Sequence, residues 1–166
     1  MNHDLTCCAG GVGEGRGSVC GYGWNVTRVG DVVAAIPDPT AVTLEQVEAS
    51  PTRCPVPDAA ARMEALIDAV RKDRDSISGV CELVATGVPA GLGDPVFDRL
   101  EAALAHAMLS IPATRGFEIG SGFAGVRCRG SAHNDAYRAA PGAPLGLELA
   151  TNRSGGVQGG ISCGSA

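Results

Sequence analysis

The sequence predicts a mixed α+β layer fold. Two long segments, beginning near Asp58 and near Asp94, carry apolar residues at helical spacing. Short apolar runs bounded by Gly and Pro lie before, between and after them and read as strands. At 166 residues the chain fits one domain and can bury a sizeable core.

Residues 1–28 stand apart: GGVGEGRGSVCGYGW has many glycines and no periodicity, so the segment is expected to be flexible. The Asn25-Val26-Thr27 sequon within it carries no weight without a secretory context. VGDVVAAI (29–36) is expected to be a short strand stopped by Pro37 and Pro39. Thr43 and Gln46 form a capping box, which predicts a short helix before Pro51. Asp58 then opens a longer helix in which Met63, Leu66, Ile67 and Val70 share a face, with Arg71, Lys72 and Arg74 near its end.

Ser78 to Val88 is apolar on both parities (Val80, Cys81, Leu83, Val84) and predicts a buried strand. After the turn from Pro89 to Gly93, Asp94 is expected as N-cap and Pro95 as first helical residue. Phe97, Leu100, Leu104, Met108 and Ile111 form the inward stripe of that helix, and Pro112 ends it. Phe117, Ile119 and Phe123 alternate with small or polar residues as a half-buried strand would, with a glycine bulge before Val126 and Cys128. RAAPGAPLGLELA (138–150) reads as a surface loop, and the final Gly-Ile-Ser as strand-like.

Composition narrows the function classes. Thirteen Lys+Arg against eighteen Asp+Glu give a net charge of −5, so there is no broad basic face for nucleic acid. No apolar run approaches the ~18 residues that span a membrane. The start MNHDLTCCAGG lacks the basic and apolar regions of a secretory leader. Seven scattered cysteines without a CxxC pair point to reduced thiols rather than to disulfides or a metal site.

Two glycine-rich stretches are candidate ligand elements. Gly120–Gly125 matches GxGxxG, but the following VRCRGS has no helical period, so glycines for a bulge and close packing account for it better than a dinucleotide fingerprint. Asn152–Gly160 (NRSGGVQGG) either exposes N–H groups to an anion or planar ring, or is a plain turn; spacing alone leaves both open. Among the histidines, His106 reads as a packed or surface residue. Asp135, two residues after His133, could orient its imidazole, although polar loop residues are the commoner explanation. No nucleophile elbow, HExxH or Ser/His/Asp set is present.

Six colinear stretches resemble chorismate synthase of the plant and cyanobacterial branch. They are IPDPTAVTLEQVEASPTRCPVPD (36–58), IDAVRKDRDSISGV (67–80), VPAGLGDPVFDRL (88–100), AMLSIPATRGFEIGSGFAG (107–125), GSAHND (130–135) and TNRSGGVQGGIS (151–162). The resemblance runs from about residue 29 to 164, which divides the chain into an unmatched segment 1–28 and a partial synthase domain 29–166. It implies a β-α-β sandwich with helices between antiparallel sheets, assembled as a homotetramer. It further implies reduced FMN as cofactor and 5-enolpyruvylshikimate 3-phosphate as substrate, converted to chorismate by anti-1,4 elimination of phosphate.

Carried over residue by residue, the turn after the second long helix contributes to the flavin site at Pro112 and Ala113, where many members have Asn-Ala. The glycine opening the family's GGIS maps to Gly159. The family's catalytic histidines, substrate arginines and Arg-Ser-Ser flavin segment have no match in residues 1–28. Its Lys-Pro-Thr-Ser-Ser segment and catalytic aspartate are not found after residue 164, so no catalytic residue is assigned. The expectation is an inactive central fragment, or alternatively a non-catalytic assembly module derived from the synthase. The compartment would be a plastid for a plant or algal source and the cytoplasm otherwise.

Overall fold

The computed structural model describes residues 21–143 and 146–164. Its longest strand, β1 (Gly21–Val29), sits in the middle of a three-stranded antiparallel sheet between β2 (Val32–Val33) and β3 (Gly79–Thr86). The expected flexible segment therefore needs correction. Residues 1–20 lie outside the described residues, but 21–28 are strand, paired along β3 from Gly21↔Thr86 to Val29↔Gly79. The pairing slips between Val26 and Arg28, so the ladder carries a bulge at Thr27. Asn25 of the sequon is only 2% exposed.

The single strand predicted for 29–36 is instead a hairpin. Val29 pairs with Val32 across the two-residue turn Gly30-Asp31, and Gly30 has φ +52°. Glycine at the first turn position is what a type II′ hairpin requires.

Beyond a 3-10 turn (Pro39–Ala41) come α1 (Leu44–Glu48) and α2 (Pro57–Lys72). The capping box of α1 forms as predicted, with Gln46 N–H donating to Thr43 Oγ1 and Thr43 N–H to Gln46 Oε1. Pro57 opens α2, one residue ahead of Asp58. Ala59, Ala60 and Met63 of α2 meet Val29, Ala34 and Cys54 in the core, flanked by Val26, Val32, Ile36, Val56, Leu66 and Ile67. Arg53 closes the corner between the two helices: its guanidinium lies 4.6 Å over the Trp24 ring and pairs with Glu48 at 2.7 Å.

The second half departs further from expectation. β3 was predicted to be buried, but its first residues are exposed, with Val80 and Leu83 open to solvent. Asp94 does not cap a helix. It exchanges two backbone hydrogen bonds with Asp98 in a tight loop, and α3 starts only at Leu100 (Leu100–Leu109). Leu100, Leu104 and Met108 of the stripe are half-buried, whereas Phe97 is 91% exposed and Ile111 exposed.

The strand predicted from Phe117 to Phe123 is absent. That stretch is irregular and runs into a 3-10 helix, Gly122–Arg127, because Gly120 and Gly122 take positive φ that breaks extended chain. A short helix α4 (Gly130–His133) follows. The expected surface loop 138–150 contains a hairpin, β4 (Tyr137–Ala139) with β5 (Leu147–Leu149). The last hairpin pairs β6 (Val157–Gln158) with β7 (Ile161–Ser162).

Candidate functional site

The glycine-rich segment is held from several sides. Asp135, between α4 and β4, is buried, and its carboxylate collects three donors from residues 16 to 19 positions downstream. These are Thr151 Oγ1–H at 2.5 Å, Arg153 N–H at 2.9 Å and Ser154 N–H at 2.8 Å. Burial alone would raise the Asp135 pKa, but these bonds favour the charged form, prevail, and hold it well below the usual aspartate range. On the opposite side Ser121 N–H donates to the Arg153 carbonyl at 2.7 Å. Gly120 lies so close to Arg153, Ser154 and Gly155 that a side chain there would strike their backbone.

Within the segment Asn152 Oδ1 accepts from Gly156 N–H at 2.7 Å, and Gly155 and Gly156 both take positive φ. β6 and β7 are then joined by Gly159 and Gly160 at φ +62° and +92°, the values of a type I′ turn. Gly160 is buried, and its carbonyl accepts from Leu100 N–H at 2.8 Å at the start of α3. β7 is anchored by Ser162, whose hydroxyl donates to Pro89 O at 2.6 Å and accepts from Leu92 N–H at 2.8 Å. A turn that spacing could not distinguish from a ligand element is thus a main-chain wall tied to α3, Asp135, Ser121 and the 89–92 turn.

Of the three residues expected at a flavin, Gly159 lies on the exposed crest of this wall, where a Cβ would meet no atom within 4 Å. Pro112 and Ala113 are exposed just beyond the other end of α3. The structure does not bring them together with Gly159: a ten-residue helix, about 15 Å long, lies between. Ala113 has φ +68°, a left-handed conformation that strains any residue with a Cβ and that concentrates at binding sites. These residues offer bare backbone and small side chains, which suits the face of a planar ring.

Asp135 does not orient the His133 imidazole, in keeping with the commoner reading of these two as polar loop residues. His133 Nε2 is 2.6 Å from Ser121 Oγ, and the carboxylate is turned to the glycine-rich segment instead. His106 is exposed. Gly120–Gly125 does not lead into a phosphate-binding helix; its first glycine provides the close approach just described. Two open grooves of about 290 and 190 Å³ lie elsewhere, on either side of Gln46 in α1. No described helix is long and apolar enough to cross a membrane.

Fold and candidate site define an α+β protein whose glycine-rich wall is held by main chain rather than by a cluster of reactive side chains. The chain belongs to the chorismate synthase family: residues 18–166 match the family model described as chorismate synthase. The chorismate synthase of Cyanothece sp. is 58% identical over 139 residues, covering 84% of this chain and 37% of that protein. That of Microcystis aeruginosa is 54% identical over 146 residues, covering 88% and 38%. A crystal structure of chorismate synthase superposes with a TM-score of 0.77 at 31% identity, over 88% of this chain and 46% of that one. The chain therefore spans less than two-fifths of the length of these two curated relatives. The family match begins ahead of β1, eleven residues before the boundary expected at 29.

Proposed function

We propose that the chain forms the central wall of a chorismate synthase site, facing reduced FMN through the backbone of Pro112, Ala113 and Gly159. The observation that carries this reading is the Gly159–Gly160 turn, fixed beneath by the Leu100 amide and bare above. The left-handed Ala113 beyond the far end of α3 supports it, since an elongated ligand lying along the helix would meet both ends. Reduced flavin supplies electron density to 5-enolpyruvylshikimate 3-phosphate as its phosphate leaves, without net redox change. The wall's part is to seat the ring and keep water from it.

Proton handling and phosphate binding would then lie on polypeptide that residues 21–164 do not include, and the chain alone is inactive. Purified 166-residue chain, supplied with reduced FMN and the substrate, is expected to form no chorismate; measurable turnover would overturn the incompleteness. The exposed apolar residues of α3 and β3 favour a second reading, a module that joins synthase subunits. That reading predicts co-purification with a complete synthase of 58% identity, such as the Cyanothece protein, and is lost if the two pass separately through a column.

A further inference from the structure

The structure assigns Asp135 as the positioning residue of the glycine-rich wall, acting through the Arg153 and Ser154 amides to set the bearing of the Gly159–Gly160 turn. This deepens the flavin reading above and rests on it for its functional half. Asp135 is 5% exposed, and none of the ion pairs formed by the described residues includes it. Its charge is instead satisfied by a hydroxyl and two backbone amides of one loop.

Three donors converge on it, so only a group that accepts at both oxygens fits. An amide at the same place would turn its NH₂ against the Ser154 N–H or against Thr151 and Arg153. The constraint passes down the chain in short steps. Arg153 is fixed at both its amide and its carbonyl, Asn152 accepts from Gly156, and the Gly156 carbonyl accepts from Cys163 N–H at 2.9 Å beside β7. Four residues separate Ser154 from Gly159, and positive-φ glycines occupy the bends. The crest thus takes its orientation from a side chain that is nowhere near it in sequence.

The test compares wild-type chain, Asp135→Asn and the milder Thr151→Val by residue-resolved amide hydrogen exchange and by titration with FMN. Losing hydrogen bonds to a charged group should speed exchange at Arg153, Ser154, Gly156 and the 159–161 turn by roughly ten- to a hundredfold in Asp135→Asn. The effect should be smaller in Thr151→Val, with α2 and β1 unchanged in both. FMN affinity should fall by the same order in Asp135→Asn.

Unchanged loop exchange, or faster exchange spread evenly through α2, would overturn the assignment. A loosened loop with FMN affinity equal to wild type would overturn its functional half. Failure of the wild-type chain to take FMN at all would overturn the flavin reading, and the exchange data alone would then decide whether Asp135 holds the wall.

Discussion

Gly120 and Gly159 are both left-handed, yet a methyl group should affect them very differently. At Gly120 it would meet the Arg153 and Ser154 backbone, while at Gly159 it would meet nothing. Gly159→Ala therefore bears only the backbone penalty, about 1 kcal/mol, whereas Gly120→Ala adds overpacking and should cost about 3 kcal/mol. Urea unfolding of the two variants separates these values. Asp135 makes the corresponding prediction for pH. Its folded pKa lies below the unfolded value of about 3.9, so its contribution is present above that value and is lost as pH falls beneath it. The acid limb of the stability curve below about pH 4 should therefore be steeper in wild type than in Asp135→Asn, as followed by circular dichroism. The close approach at Gly120 was legible in the sequence, where the glycines of 120–125 read as close packing. The role of Asp135 was not, because a partner two residues away looks nearer on paper than a loop 16 residues on. No local pattern records which way a buried carboxylate turns.

At the scale of elements, the sequence was read well where signals are local. The Thr43/Gln46 box and the periodic face of α2 need only residues three or four apart, and both form. Met63 is the most buried side chain of that face, at 0% exposure, and touches the sheet residues that complete the core. Met63→Ala should cost about 2–5 kcal/mol, read as a lower urea midpoint with unchanged slope. Strands fared worse because pairing is not local. β1 begins in a glycine-rich stretch whose strand partner is β3, more than fifty residues away. The Gly30-Asp31 hairpin did have a local signal, Gly followed by Asp between valines, but the brevity of the flanking apolar runs masked it. Asp94-Pro95 has the chemistry of a helix start, yet the Asp94–Asp98 backbone bonds use the same residues for a turn and delay α3 by a full turn. The assignment of Pro112, Ala113 and Gly159 to a flavin, a proposal, came from resemblance rather than from periodicity, and the tertiary arrangement places α3 between them.

Across the whole molecule, apolar surface is distributed unevenly. The core sits where α2 covers β1 and β2, while α3 buries no residue fully. Phe97, Val96, Phe123 and Val126 are each more than 70% exposed, and Leu92, Leu109 and Ile111 are exposed as well. A helix as apolar as LEAALAHAML gains little from water on most of its surface, so the chain should associate with itself or with a partner that covers this face. Sedimentation of the purified chain is expected to show species larger than 16.7 kDa that grow with concentration. Phe97→Glu and Val126→Glu together should shift the distribution toward monomer without moving the unfolding midpoint, because neither side chain belongs to the α2 core. A wild-type chain that stays monomeric at every concentration and melts in one sharp step would show that the α3 face is satisfied as it stands.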